Sequence, residues 1–250
     1  DRVTAKINLF KVDKETGKAV PQGDATLKGA VYGLYAREDI VHPDGATGVI
    51  YKAGEQVASL TTDEKGQASV DGLYLGKYYV KEITPPTGYL ADTEEHDLEC
   101  SYEGDMTAEV KRECISSEQV IKQPFQIIKA ANNGKTDADL LSGAGFTVYL
   151  KSSLTKKADG SYDFDSAKPV VSGENGATEI FTDEKGYACS IPLPFGSYIV
   201  RETTTPHNYK PVDDFEVNIT EHHPNEPQIW RVLLDEEFKA KLKIVKKDDE

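Results

Sequence analysis

Tyr78–Tyr89 reads YYVKEITPPTGY, and Tyr198–Tyr209 reads YIVRETTTPHNY. Each opens as an alternating strand, Tyr-x-Val-x-Glu: Tyr78, Val80 and Glu82, then Tyr198, Val200 and Glu202. Successive side chains on a strand face opposite ways, so each glutamate shares a face with the apolar pair before it. The other face carries Tyr79 and Lys81 in one copy and Ile199 and Arg201 in the other. An ionised carboxylate on a core-facing position is costly unless it is paired or protonated. Its recurrence marks it as a feature of a repeated unit.

Other segments repeat with it. Thr62-Asp63-Glu64-Lys65-Gly66 recurs as Thr182-Asp183-Glu184-Lys185-Gly186, and Leu27-Lys28-Gly29-Ala30 resembles Leu141-Ser142-Gly143-Ala144. Lys6–Lys11, KINLFK, matches Pro124–Lys129, PFQIIK, and again Lys241–Lys246, KLKIVK. The period is a whole domain, far longer than a solenoid repeat. The expected organisation is a unit over 1–123, a second over 124–240, and the first strand of a third over 241–250.

Within unit 1 the pattern is one of short alternating runs with almost no helical periodicity. Strands are expected near Ala5–Val12, Ala30–Ala36, Gln56–Thr61, Ala68–Val70, Gly76–Glu82, His96–Tyr102, Thr107–Cys114 and Gln119–Ile121. Turn residues separate them, among them Lys14-Glu15-Thr16-Gly17, His42-Pro43-Asp44-Gly45 and Pro85-Pro86-Thr87-Gly88. Unit 2 repeats the scheme, with turns at Asn132-Asn133-Gly134 and Ala158-Asp159-Gly160-Ser161. Short strands at regular turn spacing predict an all-β chain of tandem β-sandwich domains.

The bulk numbers agree. The 250 residues suffice for one large or two ordinary domains. Twenty glycines and 12 prolines suit a turn-rich β protein. The net charge of −14 disfavours phosphate backbones and anionic lipid, so neither nucleic acid nor direct membrane contact is expected. No stretch approaches the length of a membrane-spanning helix, and no basic-then-apolar leader opens the chain. The chain ends in what reads as a strand and turn, as expected of a piece of a longer protein. Cys100, Cys114 and Cys189 are too few for a disulfide framework, and three buried free thiols are expected. Cys100 and Cys114 flank an expected hairpin turn at Glu103-Gly104-Asp105, whose pairing would set Cys100 opposite a residue near Glu109.

The first strand of each unit repeats the anomaly with the opposite sign. Ile7, Leu9 and Lys11 share a face, as do Phe125, Ile127 and Lys129, and Leu242, Ile244 and Lys246. Each unit therefore aims one lysine and one glutamate inward. The plainer alternative is a strand-end residue whose long stem reaches back to water.

Lys11-Val12-Asp13, a Gly-Ala-x-[Phe/Tyr] strand and Tyr-x-Val-x-Glu-x-x-x-Pro-x-x-Tyr together resemble the Cna B-type domains. These are also called SpaA-type or prealbumin-like domains of Gram-positive surface proteins and pilins. The resemblance covers essentially the whole chain and is most specific in the glutamate segment. It implies a β-sandwich of inverse immunoglobulin-like topology. It also implies an intramolecular isopeptide bond between a first-strand lysine and a last-strand Asn or Asp, promoted by the glutamate. On that resemblance Lys129 is the nucleophile and Glu202 the catalytic carboxyl of unit 2, with Lys11 and Glu82 in those roles in unit 1.

The chemistry is sound on general grounds. Burial lowers a lysine pKa and raises a glutamate pKa. A neutral amine is a nucleophile, and a protonated carboxyl can polarise the acceptor and shuttle protons. Folding holds the two together at high effective concentration. The reaction runs once per molecule, so no enzymatic turnover and no cofactor are expected.

The resemblance places the acceptor about a dozen residues before the next lysine. Asp235 stands eleven residues before Lys246 and is the expected acceptor in unit 2. Periodicity leaves its direction open, because Val232 and Leu234 make the opposite face apolar too. In unit 1 the same count reaches Glu118, and no Asp or Asn lies between Met106 and Gln123. No conventional bond is therefore expected there. Glu118, Gln119 and Gln123 stand as substitutes, and a Lys11–Glu82 salt bridge is the alternative.

A Lys129–Asp235 bond would tie the first strand to the last, as suits an extracellular, cell-wall-attached stalk of an adhesin or pilus protein. Its partners would be neighbouring domains of the same polypeptide. The alternative is a head module recognising a host extracellular protein or glycan through the inserts Arg37–Ala58 and Lys151–Thr178, with Tyr51, Tyr162 and Phe164 as contacts. The cysteines lack a motif pairing them with histidine, and no Gly-rich phosphate loop occurs. His222-His223 beside Glu221 read as adjacent strand residues pointing opposite ways, so no metal is expected.

Overall fold

The computed structural model describes residues 2–132 and 139–237. Part of the turn expected at Asn132–Gly134 and the whole of 241–250, the expected third repeat, lie outside these residues. The chain divides into two compact units, one carrying Asp1–Lys122 and the other beginning at Gln123. Among the described residues there is no α-helix, only two single-turn 3-10 segments, Lys151–Ser153 and Glu174–Gly176. No described helix is long and apolar enough to cross a membrane.

Unit 1 is a sandwich of two sheets. In the smaller, the first strand, Thr4–Asp13, lies between Gln67–Leu73 and the last strand, Glu109–Glu118. It runs antiparallel to the former and parallel to the latter. The larger sheet has the order Gln56–Thr61, Val31–Ala36, Gly76–Thr84, Glu95–Cys100, all antiparallel. The insert 37–58 folds its own ribbon, Ile40–Val41 with Val49–Tyr51. The core fills from both inner faces, with Ile7, Leu9 and Val110 on one side and Tyr32, Leu34, Tyr78 and Val80 on the other.

Unit 2 repeats this plan. Its first strand, Gln126–Asn132, lies between Tyr187–Cys189 and the last strand, Arg231–Glu236. Its larger sheet has the order Glu179–Phe181, Gly145–Leu150, Gly196–Thr204, Phe215–Ile219. The all-β tandem sandwich expected from periodicity is the fold observed.

Three local expectations change. Gln119–Ile121 is not a strand, and Val120 makes an isolated bridge to Tyr89. The last strand of unit 1 instead continues past Cys114 to Glu118, because Ser116 and Glu118 keep the in–out alternation with polar side chains turned inward. Cys100 and Cys114 do not flank a hairpin, since their strands belong to different sheets. Both are buried free thiols, and burial pushes Cys114 up to about 12. Cys189 is free but only half buried, since Ala188 takes the core position of that short edge strand.

The repeated Thr-Asp-Glu-Lys-Gly turn has a structural purpose. Thr62 Oγ1 donates to Leu27 O at 2.6 Å and accepts from Ala30 N at 3.0 Å, and Thr182 does the same with Leu141 and Ala144. The Asp63 carboxylate accepts from the Lys65 and Gln67 amides, and Asp183 from those of Lys185 and Tyr187. The closing glycines adopt φ of +72° and +68° and accept the Lys11 and Lys129 amides, each at 2.7 Å. A Cβ at Gly66 would meet Lys11 O at 2.8 Å, and one at Gly186 would meet Lys129 O at 2.4 Å. The turn thus clamps the backbone of each inward lysine.

Gly186→Ala is expected to destabilise unit 2 by more than about 1 kcal/mol, since it combines left-handed strain with a backbone clash. Gly160→Ala, at φ +85° in open space, is expected to cost less. Denaturant midpoints of the two variants check the order.

Candidate functional site

Strand alternation carries the inward lysines. Along the first strand of unit 1, Ala5, Ile7, Leu9, Lys11 and Asp13 are buried and the residues between are half buried. In unit 2, Phe125, Ile127 and Lys129 are buried in the same way. Lys11 and Lys129 are 0% exposed. The stem-to-water alternative is therefore excluded for both. Register then selects their neighbours. In the parallel pairing Asp13 lies opposite Glu118 and Ala131 opposite Asp235, two residues past each lysine. Across the larger sheets Glu82 faces Tyr32 and Glu202 faces Phe146.

In unit 2 the three expected residues come together. Lys129 Nζ donates to Glu202 Oε2 at 2.8 Å and to Asp235 Oδ1, and all three side chains are fully buried. The direction of Asp235, open in the sequence, is inward, with Val232 and Leu234 exposed on the far face. The Val212 amide fixes Glu202 by donating to Oε2 at 2.9 Å. The Phe146 ring centroid lies 5.6 Å from Lys129 Nζ. Burial raises the Asp235 pKa against the opposing pull of Lys129. Glu202 Oε1 and Asp235 Oδ2 are buried without a partner. Two orphaned carboxylate oxygens cost about 1–3 kcal/mol each, and a proton held on one of them removes much of that cost.

In unit 1 the lysine finds a glutamate. Lys11 Nζ lies in ion-pair contact with Glu118 Oε2, both side chains fully buried, without the alignment of a regular hydrogen bond. Glu82, the alternative partner in the sequence, does not take this place. Its Oε2 accepts the Asp92 amide at 2.7 Å, as Glu202 accepts that of Val212. Glu82 Oε1 and Glu118 Oε2 are both buried without a hydrogen-bond partner. Burial and the adjacent Glu118 carboxyl push the Glu82 pKa up to about 8, while burial lowers that of Lys11. Gln119 is not at the site, for its amide donates to Glu15 and to the neighbouring Val120 O. Gln123 is engaged by Glu226 O.

Around Glu118 stands a set of polar residues that sequence reading did not single out. The Tyr32 hydroxyl lies 2.7 Å from Glu118 Oε1 and 2.9 Å from Ser116 Oγ. Ser116 Oγ lies 2.8 Å from Asp92 Oδ2, which pairs at 2.6 Å with His96 Nε2. The signal available was inward parity for Ser116, two residues before Glu118. Asp92, Glu94 and His96 bring three ligand atoms within 4.8 Å of one another, the one such group of metal-ligating types among the described residues. Its Asp92–His96 contact is already an ion-pair geometry.

The aromatic residues of the inserts are spent on packing. Phe164 stands edge-on to Tyr149 and Tyr162 and lies 3.9 Å from the Arg201 guanidinium, while Tyr51 packs on the unit 1 core.

The SpaA prealbumin-like fold domain matches residues 5–113 and again 124–229. Among solved structures, the Bacillus anthracis TIE protein is similar over 94% of this chain, at 24% identity and a TM-score of 0.60. This chain spans 34% of that one. GBS52, the minor pilin of Streptococcus agalactiae, is 16% identical over 97% of this chain and 100% of its own, with a TM-score of 0.41. The shaft pilin SpaA of Lactobacillus rhamnosus GG is 17% identical over 96% and 99%, with a TM-score of 0.33. No curated protein matches.

The folded pKa of Glu82 exceeds its ordinary value of 4.5, so the folded state holds this proton more tightly than the unfolded one. Its contribution to stability is full below about pH 4.5 and is lost as pH rises through about 8. Amide hydrogen exchange in Gly76–Thr84 is expected to quicken across that window more than the base-catalysed intrinsic rate accounts for. Glu82→Gln is expected to remove the excess.

Proposed function

The chain belongs to the SpaA family of prealbumin-like fold domains, and from that premise we propose that it is a stalk segment of a Gram-positive cell-surface adhesin or pilus protein. In this reading unit 2 is made rigid by a self-formed isopeptide bond between Lys129 and Asp235. The observation that carries it is the fully buried Lys129–Glu202–Asp235 triad at the junction of first and last strands. A structural ion pair could be replaced by apolar residues at no loss, and a lone buried pair is weak evidence for stability. A lysine held against one carboxyl that is oriented by a backbone amide and a second at the strand end has the arrangement of a reacting group.

The steps follow from the proton count. Transfer of the ammonium proton to a carboxylate leaves a neutral amine beside a neutral acid, the cheaper pair in a dry interior. The Nζ lone pair attacks Asp235 Cγ. A proton between Glu202 Oε1 and Asp235 Oδ2 would sit where charge develops on the acceptor oxygen. The Cγ–O bond then breaks, and the oxygen leaves as water with protons from the acid and the amine. Phe146 closes one wall, so water does not solvate the amine.

The bond would close a loop spanning 106 residues of separation, worth roughly 4–5 kcal/mol by analogy with disulfides. The two strands it joins are parallel neighbours, so tension entering by one and leaving by the other would shear their hydrogen bonds. A covalent tie between them bears that load instead. Partners in this role are neighbouring domains of the same polypeptide, at the bacterial surface.

Intact mass tests the bond. Loss of water at Lys129 is expected to vanish in Lys129→Ala, and crosslinking is expected to be abolished or slowed at least a hundredfold in Glu202→Ala. A Lys129-containing peptide free of Asp235 in the unaltered chain would falsify the reading. The thermal transition of unit 2 is expected to fall by more than about 8 °C in either variant, from roughly 4 kcal/mol at about 2–4 °C per kcal/mol.

A further inference from the structure

The open side of the unit 1 sandwich holds a group that crosslinking does not use. Glu95–Cys100 is the edge strand of the larger sheet there, and Glu109–Glu118 that of the smaller. A cleft of about 480 Å³ lies at this side. Asp92, Glu94 and His96 line it together with Lys14, Ser117 and Glu118. His96 takes an inward position on its strand, as Leu98 and Cys100 do. Asp92, Glu94 and His96 each place one ligand atom within 4.8 Å of the other two.

Asp92 is held from three directions. Its amide donates to Glu82 Oε2 at 2.7 Å, its Oδ1 accepts the Glu94 amide at 2.9 Å, and its Oδ2 accepts the Ser116 hydroxyl at 2.8 Å. The side chain is only 7% exposed. Burial opposes its charge, yet the Glu94 amide, His96 and Ser116 hold its carboxyl below the usual range. The result is a fixed anionic oxygen facing the cleft. Glu118, 2% exposed, adds a second buried acid to the lining, and its Oε2 has no hydrogen-bond partner. Lys11 is buried beside it, while Lys14 is exposed, so carboxylates outnumber the cations that could answer them inside the cleft.

We propose that Asp92, Glu94 and His96 form a divalent-metal site of the Zn²⁺ class, which ties the edge of the larger sheet to the last strand of unit 1 through Ser116. One imidazole and two carboxylates suit a borderline dication, whereas Ca²⁺ and Mg²⁺ take a larger set of oxygen ligands. Bonds of about 2.0–2.2 Å at tetrahedral angles set ligand atoms about 3.4 Å apart. Asp92 Oδ2 and His96 Nε2 stand 2.6 Å apart. The metal replaces the proton between them and asks for an opening of less than about 1 Å. Glu94 is exposed and supplies the third ligand by rotamer choice. Ser116 supports Asp92 from behind, and the fourth position opens on the cleft.

Unit 2 has no such set. Val212 stands where Asp92 does, since the amide of each caps the glutamate ten residues before it. At the same spacing Asp214 and Glu216 take the places of Glu94 and His96, and they pair with Arg201 at 3.0 Å and Lys151 at 2.7 Å. Side-chain cations answer these acids in unit 2, where unit 1 offers an imidazole. The metal site does not depend on the Lys129–Asp235 bond. It gives unit 1 a reversible tie at its last strand, where the stalk reading gives unit 2 a covalent one.

Calorimetric titration of the chelator-treated full chain with ZnCl₂ is expected to show one site per chain. At a hundredfold excess over the dissociation constant, the thermal transition of unit 1 is expected to rise by at least about 5 °C. Amides of Glu95–Cys100 and Glu109–Glu118 are expected to gain protection from exchange, with those of Phe215–Ile219 unchanged. Glu94→Ala and His96→Ala are each expected to weaken binding at least tenfold, and Glu95→Ala, on the opposite face, to leave it unchanged. Where His96→Ala fails to fold, the exposed Glu94→Ala still decides. Lys129→Met is expected to leave the zinc isotherm as it is, so failure of the unit 2 bond and failure of this site are read separately. Absence of saturable binding below about 1 mM zinc overturns the proposal. So does an isotherm that survives both ligand variants, which would put the metal elsewhere, as at His222-His223. Binding of Ca²⁺ as tight as that of Zn²⁺ overturns it too, as mere attraction to acidic groups.

Discussion

A lysine sealed in the interior beside two carboxyls is the constraint that the rest of each unit serves. Leaving three charges in a dry core is expensive, and attraction alone repays the cost only with good geometry and every remaining polar atom satisfied. Here it is not fully satisfied, because one oxygen of each carboxyl has no hydrogen-bond partner in either unit. Moving protons settles the account, and the shifts at Lys11, Glu82 and Asp235 all run towards the neutral forms. The sandwich supplies what this needs. One sheet brings the lysine and the last-strand acid, the other brings the glutamate, and the layer between them excludes water.

Holding the amine in place falls to segments remote in sequence. The Thr-Asp-Glu-Lys-Gly turn ties its glycine carbonyl to the lysine amide, while its threonine locks the Leu-x-Gly-Ala segment. A backbone amide ten residues past each glutamate fixes the carboxyl from behind. These contacts recur in both units, which accounts for why these particular stretches repeat while the inserts between them diverge. The inserts instead fold as small ribbons whose aromatic residues pack on their own unit.

The frame is common and the filling is not. Unit 2 surrounds a short acid with Phe146 and Leu233, so its polar atoms meet almost only each other. Unit 1 surrounds a longer acid with Tyr32, Ser116 and the Asp92–His96 pair, which reaches a half-buried histidine at the surface. Hydroxyls from two separate strands, Tyr32 and Ser116, thus meet the longer side chain.

Periodicity alone determined the tandem all-β plan, the inward lysines and the inward glutamates, because alternation on a strand is a local property that residue type reports directly. It could not orient Asp235, since Val232 and Leu234 offered an equally apolar opposite face, and only the parallel pairing with Gln126–Asn132 turned it inward. It stopped the last strand of unit 1 at Cys114, because the inward positions beyond it, Ser116 and Glu118, are polar. Tertiary structure alone buries them, through a register that sets Ser116 beside Lys11 and a facing sheet that brings Tyr32. Likewise the Lys11 partner was a choice among Glu82, Glu118, Gln119 and Gln123 that spacing left open. Contacts between strands a hundred residues apart leave no periodic trace, and the choice fell to Glu118 because packing placed its carboxyl, and none of the others, against the amine.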